Sequence, residues 1–413
     1  MNEFLKIDLR RLDPHRPPAL LLGGINLVRA LGLARIPVIV ASAEASTPAM
    51  ASRYSIGRCL LPPSTQREAV IERLLRVGEL LTGALCTRVP LLYGDDDQLG
   101  LIQDHREALS PYFAFVLSEP ALARALHSKQ LFQALAERRQ LPVPRRLDWS
   151  ELGEFEAPVL VKPKMKTEWD SSAVYSRLFG GAGKARIFAD GRAVLQEPLA
   201  QALAGELAVQ EYIPGDDRAL WSFHGFADER GKLLAWFIGR KIRTYPALTG
   251  DSSYLELAHD EELAALGRTL VPRIGLKGVF KMDFKRHAAS GRFYLLEVNA
   301  RFNLWHYLGA KGGVNLAQVA YDYVTRGARS APLQTRARYR WLSPRLDYLA
   351  YRNLASRGEL SAAGWLASLA SSRKVYDLFA WTDPMPFLVV LWDELKHLSR
   401  LRHRVMRWLS TAS

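Results

Sequence analysis

Over its first third the chain alternates short apolar runs with amphipathic stretches. "PALLLGGINLVRALGLARIPVIVAS" (18–42) is an apolar run, a Gly-Gly turn, an amphipathic stretch and a second apolar run. That is the βαβ pattern of a parallel sheet. "CLLPP" (59–63), "VPLLYGDDDQ" (89–98) and "FAFVLSE" (113–119) continue it, each beside helical sequence, and predict an α/β domain over residues 1–120. Gly23 and Gly24 have neither the GxGxxG spacing nor a P-loop lysine, so they read as a tight turn where backbone packs closely.

Beyond residue 118 the rhythm changes. "SEPALARALHSKQLFQALAERRQLPVPR" (118–145) reads as helix with a proline stop. Strands follow at "APVLVKPK" (157–164) and "LAVQEYIPGDD" (207–217), separated by a polar stretch whose glycines lie in "FGGAGK" (179–184). "WSFHGFADERGKLLAWFIGRKIRTYP" (221–246) predicts a strand pair turned at Glu229–Gly231, and "DEELAALGRTLVPRIGL" (260–276) a helix. A second hairpin and a helix at "NLAQVAYDYVTRG" (315–327) come next, then a basic tail containing Trp and Leu from about residue 332.

The second hairpin, "GVFKMDFKRHAASGRFYLLEVNARFN" (278–303), breaks its apolar pattern with Asp283, Glu297, Asn299 and Arg301. A turn at "AASG" places residue 283 opposite 296 or 297. Side chains alternate along a strand, so Glu297, Asn299 and Arg301 share one face. Opposed carboxylates repel unless a cation sits between them. Two carboxylates and an amide oxygen form a hard oxygen site suited to Mg²⁺ shared with phosphates. The competing reading is a solvent-facing polar side, with Val279, Lys281, Leu296, Val298 and Ala300 on the packed face.

Composition narrows the class. The chain has 413 residues, 48% apolar, with mean hydropathy −0.08, enough for two or three domains. No apolar run reaches the length of a membrane span, and the first residues lack a signal-peptide pattern. The only cysteines are Cys59 and Cys86, without metal-ligand spacing; a disulfide scaffold is excluded and a reducing cytoplasm fits. The net charge of +14 and pI near 9.8 suit a partner bearing phosphates, or a plain solvated basic surface.

Cations stand where such a partner would need them. Lys162 ends the apolar strand "VLVKP", and Lys129 sits near a predicted helix start. "GRKIRTYP" offers Arg240, Lys241 and Arg243, with Lys241 and Arg243 on one face by alternation. "VQEYIPGDD" is an extended segment whose backbone suits an adenine edge, with Asp216 placed for ribose hydroxyls.

In this order the motifs resemble the ATP-grasp superfamily over about residues 20–325. The resemblance implies an α/β (α+β grasp) chain. It would comprise an N-terminal parallel α/β domain (1–120), an ATP-grasp fold of two α+β subdomains (121–330, hinge near 210–216) and a mostly helical basic extension (331–413). It implies ATP and Mg²⁺ or Mn²⁺ as cofactors. Lys129 and Lys162 match the nucleotide lysines; Glu211, Tyr212 and Ile213 match the adenine hinge, Asp216 the ribose position, and Lys241 a further phosphate contact. Asp283, Glu297 and Asn299 match the metal positions, and Arg301, with Lys162, the catalytic charges. The family's glycine-rich phosphate loop is not directly after Lys162 here, which leaves Lys164, Lys184 or loop backbone as candidates to cover the phosphates. Ala300 stands where proline is usual.

"GRKIRTYP" and "TGDSS" (249–253) are similar to the carboxylate–amine ligase branch related to D-aspartate ligases. That branch implies activation of a carboxylate as an acyl phosphate and its capture by an amine, with Arg243, Ser252, Asn303 and His306 toward the substrates. Two alternatives are a biotin-carboxylase-like enzyme and an inactive basic grasp-fold protein binding membrane or nucleic acid. The tail segment "DPMPFLVVLWDELKHLSRLRHRVMRWLS" (383–410) puts Leu388, Leu391, Leu395, Leu398, Val405 and Trp408 at helical spacing, opposite basic residues. It suits an anionic lipid surface, its own domain or a second subunit of a homodimer. No specific nucleic acid is expected. The implied location is the cytoplasm, with the inner membrane face as the alternative the tail adds.

Overall fold

The structure, a computed structural model, describes residues 3–8, 10, 12–164, 177–179, 185–328, 339–370 and 373–396. The first sheet holds β1 (Leu5–Lys6), β2 (Ala19–Leu22), β3 (Val38–Ser42), β4 (Ser55–Leu60), β5 (Val89–Tyr93) and β6 (Phe113–Ala114), in the order β1-β4-β3-β2-β5-β6. All neighbours are parallel except the β1–β4 edge. The predicted βαβ unit is β2, helix α1 (Ile25–Leu33) and β3. Its strands are buried on both faces, as continuous apolar runs demand. Helix α2 (Arg67–Leu85) covers one face with Val70, Leu74 and Leu81. On the other face, α1 carries Leu27, Val28 and Leu31 into a core shared with Phe237 and Leu255 of the third sheet and Trp305 beyond it.

The single helix predicted over 118–145 is two. Ser128 adopts an extended conformation between Pro120–His127 and helix α3 (Lys129–Arg138), and its hydroxyl accepts from Leu131 N. A serine that caps a new helix thereby ends the preceding one.

The second sheet has the order β7-β10-β8-β9, from β7 (Arg146–Leu147), β8 (Val159–Pro163), β9 (Arg186–Phe188) and β10 (Leu207–Glu211), all antiparallel. The third has seven strands in the order β15-β14-β11-β12-β13-β16-β17. These are β11 (Leu220–Ala227), β12 (Leu233–Tyr245), β13 (Asp251–Ala258), β14 (Gly278–Arg286), β15 (Phe293–Asn299), β16 (Tyr339–Leu342) and β17 (Arg373–Tyr376). Helix α4 (Glu261–Ile274) starts at the Asp260 cap and stops at Gly275, which sits in the left-handed region at φ +81. It packs Leu263, Leu270, Val271 and Ile274 against Phe223, Phe280, Met282 and Phe284. Helices α5 (Trp305–Lys311) and α6 (Leu316–Arg326) fill the opposite side.

The tail is more than helical. Besides helices α7 (Pro344–Ala355) and α8 (Ala362–Ala370), β16 joins β13 antiparallel and β17 joins β16 in parallel. Short alternations in "YRWL" and "RKVY" suffice, because Trp341, Leu342 and Val375 are buried by the sheet they extend.

Two buried ion pairs fasten this tail. Arg243 on β12 meets Asp347 on α7 bidentately, with Nε and Nη2 each 2.8 Å from a carboxylate oxygen. Arg29 on α1 donates from Nε to Asp383 Oδ2 at 3.0 Å; Ser52 Oγ and the Arg53 amide donate to the same carboxylate. Removing one partner strands a buried charge. Arg243→Met and Asp383→Ala are each expected to lower unfolding free energy by about 3–5 kcal/mol. Denaturant midpoints check this. The paired variant Arg243→Met/Asp347→Leu should recover most of the loss, and failure to recover would mean the pair acts through more than its charges.

Candidate functional site

One face of the third sheet changes character along its length. Toward one end β11, β12, β13 and β14 present Phe226, Ala235, Phe237, Leu255, Leu257 and Val279, all buried in the shared core. Toward the other end the facing positions are Ser222, Gly239, Lys241, Lys281 and Asp283, with Glu297 and Asn299 on β15. The predicted hairpin register is confirmed: Asp283 lies directly opposite Glu297, and Lys281 opposite Asn299.

Strand alternation also corrects the expected packed face. Lys281 is two residues from Asp283, so it shares the polar face, while Phe280, Met282, Phe284 and Val298 form the packed one. Lys281 Nζ sits 2.7 Å from Asp283 Oδ2. Even so, neither Asp283 oxygen receives a well-directed hydrogen bond, and both are buried. Burial, reinforced by the Glu297 charge, pushes the Asp283 carboxyl above its ordinary range against the pull of Lys281. Burial also opposes ionisation of Glu297. Lys281, the hydrogen bond from Asn299, and Lys241 outweigh it and hold Glu297 down at about 2. The two carboxyls are thus pushed in opposite directions, Asp283 up and Glu297 down.

Asn299 Nδ2 donates to Glu297 Oε1 at 3.1 Å, and Arg301 Nη2 approaches Asn299 Oδ1 at 3.4 Å. Arg301 reaches across to the helix that follows β5, where Nε donates to Asp96 Oδ1 at 2.7 Å. Burial works against its charge, but Asp96 and Glu297 keep the guanidinium firmly protonated.

Three further lysines converge. Burial draws Lys241 below the ordinary lysine range, with Lys281 in the same sense, while Asp283, Glu297 and Asp217 oppose. Lys162, at the end of β8 in the second sheet, is likewise lowered by burial and supported by Glu297. Lys129 Nζ donates to Pro163 O at 2.6 Å, so the first turn of α3 sits at that same strand end.

The hinge residues follow β10. Glu211 Oε1 accepts from the Arg145 amide and the Tyr212 amide donates to Pro158 O. Ile213 is buried. Asp216 Oδ1 caps the turn that follows, accepting from the Arg218 and Ala219 amides. Lys164, one of the phosphate-covering candidates, is engaged with Gly205 O. Residues 165–176 and 180–184, including Lys184, lie outside the described residues.

The expected substrate residues divide. Arg243 does not join Lys241: β12 carries a bulge between Lys241 and Arg243, which turns Arg243 to the tail and Asp347. "TGDSS" is only partly loop, since β13 starts at Asp251. Ser252 is half-buried opposite Thr244, and Ser253 Oγ donates to the Arg243 carbonyl. Asn303 Oδ1 caps α5 through the Trp305 amide, leaving Nδ2 buried without a partner. His306 is fully buried and held neutral, pushed down to about 4 by burial. Its Nδ1 pairs with the Asn303 backbone and Nε2 has no partner.

Four residues escaped the sequence reading. Lys281 was legible from its two-residue offset to Asp283. Lys285 lies with Nζ 2.9 Å from the Tyr212 hydroxyl and 4.0 Å from its ring, tying β14 to the hinge; burial lowers it to about 8. His224 sits opposite Lys281, fully buried, with Nε2 2.9 Å from Ser222 Oγ. Asp217 accepts from the Thr244 amide and hydroxyl and the Leu248 amide. Nothing in the sequence marks these last three.

Among the described residues no three His, Cys, Asp or Glu side chains gather closely enough to hold a metal unaided. The carboxylates of Asp283 and Glu297 and the amide oxygen of Asn299 do fit Mg²⁺, which is commonly bound by one or two carboxylates with phosphates completing its shell.

Residues 205–344 match the family described as ATP-grasp in the biosynthetic pathway with Ter operon. The chain is 25% identical over 296 residues to the D-aspartate ligase of Enterococcus faecium (strain Aus0004), covering 68% of this chain and 69% of that protein. Its fold is similar to N5-carboxyaminoimidazole synthetase from Staphylococcus aureus complexed with ADP, at TM-score 0.57 and 10% identity over 78% of this chain and 80% of that one. It is also similar to the L-amino acid ligase from Bacillus licheniformis, at TM-score 0.53 and 15% identity over 76% and 74%. Fold, motif order and sequence agree that the chain has the ATP-grasp architecture and is similar to the carboxylate–amine ligases that carry it.

Proposed function

We propose that this protein is an ATP- and Mg²⁺-dependent ligase that joins a carboxylate to an amine through an acyl phosphate. The observation that carries the reading is the Asp283–Glu297 pair: a buried carboxylate, held by Lys281 at 2.7 Å, directly opposite a second carboxylate that Lys241 and Lys162 also feel. Such a pair is costly unless cations or a bound ligand compensate it. Phosphoryl transfer asks mainly for positioning and charge neutralisation, which this set can supply.

In this reading Asp283, Glu297 and Asn299 hold the divalent ion. When bound, that ion neutralises phosphate charge and fixes the phosphates' orientation. Lys129, Lys162 and Lys241 bind phosphate oxygens. Glu211, Tyr212 and Ile213 line the adenine through the hinge backbone, with Asp216 toward the ribose. Lys281, already poised beside Asp283, and Arg301, fixed by Asp96, stabilise negative charge on the transferred group. The carboxylate attacks the terminal phosphorus and ADP departs. The amine then attacks the acyl carbon and phosphate departs, leaving an amide. Asn303 and His306, each with a buried unpartnered nitrogen, are the candidates nearest the acceptor side. Arg243 and Ser252 act indirectly, by shaping the end of β12 and β13.

Similarity to a D-aspartate ligase favours amide formation; similarity to carboxyaminoimidazole synthetase keeps a bicarbonate reaction in view. Phosphate release with ATP and Mg²⁺, screened over amino-acid pairs and against bicarbonate, separates them. The expected result is turnover that requires both a carboxylate and an amine and yields an amide. Bicarbonate-driven ADP release without an amine would overturn the ligation step. Glu297→Gln should lower turnover by about 10³-fold or more with the unfolding midpoint little changed. Lys241→Met should raise the ATP requirement about tenfold to a hundredfold. Unchanged ATP kinetics in both variants would remove this face from the reaction.

A further inference from the structure

We propose that the face of the third sheet turned away from the carboxylate pair carries a second binding site, one for a phosphate group, built from Arg218, Arg240 and Arg340. Five strands in register lay one row of side chains across that face. Trp221 on β11 stands opposite Arg240 on β12, Arg240 opposite Glu256 on β13, Glu256 opposite Arg340 on β16, and Arg340 beside Lys374 on β17. Lys241 is the next residue along β12, so alternation directs it to the other face. Arg240 lies over the Trp221 ring, which belongs to the core packed on α4, and this fixes the side of the row.

The row is unbalanced in charge. Arg240 Nε donates to Glu256 Oε1 at 2.9 Å, and Arg340 approaches Oε2 with Nε at 3.2 Å and Nη2 at 3.1 Å. One carboxylate therefore serves two guanidinium groups. A cavity of about 160 Å³ opens beside them, lined by Arg218, Arg240, Ile242, Glu256, Arg340 and Ser368. Arg218 reaches it from the turn after the hinge. Its sequence neighbours Asp216 and Asp217 are committed elsewhere, Asp216 to the amides of its own turn and Asp217 to Thr244 and Leu248. The described lining thus holds three arginines against one carboxylate. Lys374 adds to the excess from the neighbouring strand; burial and then the Arg340 charge draw its ammonium below the ordinary lysine range.

Charge and shape select the ligand. Guanidinium forks match the paired oxygens of a carboxylate or a phosphate. A carboxylate would answer half of the surplus charge of the lining, whereas a phosphate dianion answers all of it. Two of the three forks are already oriented. Arg240 is held over Trp221 and on Glu256, and Arg340 Nη1 donates to the Tyr254 hydroxyl at 3.2 Å and to Ser368 O at 3.3 Å. Both are recessed, at 35% and 25% exposure, so little order is lost when an anion arrives. With about 30 Å³ as the share of one water in the liquid, the cavity takes a phosphate group and a small organic part. The site lies on the opposite face from the lysines assigned to ATP and does not depend on that assignment.

Calorimetric titration of the full chain with inorganic phosphate, glucose 6-phosphate and acetate tests this. A Lys241→Met background weakens anion binding on the opposite face; there phosphate should still bind, about tenfold or more tighter than acetate. Tighter binding of the sugar phosphate assigns the site to a small phosphoester, and the reverse order to free phosphate. Arg218→Gln should weaken phosphate about tenfold with the thermal midpoint unchanged, because that side chain is exposed. Arg340→Gln should weaken it by as much or more. Glu256→Gln should tighten phosphate about tenfold by removing the competing anion, a gain that a purely structural ion-pair cluster would not give. Absence of phosphate binding overturns the proposal, as does equal affinity for acetate. So does phosphate binding that Arg218→Gln and Arg340→Gln leave intact while Lys241→Met abolishes it.

Discussion

Two carboxylates directly opposite each other on neighbouring strands are the constraint around which the third sheet is organised. Asp283 is buried and Glu297 stands directly beside it, so the two do not ionise independently, and the surrounding strands supply the compensation. Lys281 comes from the same strand as Asp283, Lys241 from β12, and Lys162 from the second sheet. The three cations reach one place only because β14 and β12 flank β11 and the end of β8 faces the sheet. Arg301 extends the same charge network to Asp96, which opens the helix after β5 of the first sheet. The electrostatics of one hairpin thus help decide how all three sheets meet.

Much of this was legible in the chain because it depends on short periods. Hairpin symmetry about "AASG" and a two-residue side-chain repeat suffice to pair Asp283 with Glu297 and to align Asn299 and Arg301. The same repeat, applied to Lys281, would have put it on the polar face. What failed depends on irregularity or on distance. Alternation predicts that Lys241 and Arg243 share a face, but the bulge between them inverts the second, and no residue type in "GRKIRTYP" announces a bulge. Arg243 looked like a substrate ligand because its real partner, Asp347, lies 104 residues away. The tail strands were missed because four-residue alternations carry little signal until a sheet edge is there to receive them.

The tail's attachments have a common physical form. Each is an arginine buried with an aspartate and supplemented by further donors: Ser253 and Trp365 for Asp347, Ser52 and the Arg53 amide for Asp383. Buried pairs of this type contribute little net stability, because desolvation offsets attraction, but they penalise wrong docking severely. One pair joins α7 to the bulged end of β12, next to Lys241. The other joins the chain before helix 385–396 to α1. The bulge that removes Arg243 from the polar face is the same feature that makes it available as an anchor. A change in how the tail docks would therefore be felt at Lys241, one residue short of the bulge.

The proposed chemistry follows from the sign of the charge that is left over. Lys162, Lys241 and Lys281 face two carboxylates, one of which resists ionisation, so the free site leans positive in a buried setting. Burial, more than the neighbouring charges, draws Lys162 and Lys241 below the ordinary lysine range, and the carboxylates pull them back. An arriving polyphosphate reverses the balance: it favours the charged lysines, while a divalent ion favours full ionisation of Asp283. The lysines' pKa values rise and that of Asp283 falls, so each element of the site is brought to its preferred state by the other ligand. Neither ligand alone settles the site, since the ion without phosphates adds positive charge beside three lysines, and phosphates without the ion face Glu297. In the proposed ligase, cooperative binding of nucleotide and metal would be the electrostatic consequence of placing two carboxylates in register and surrounding them with lysines.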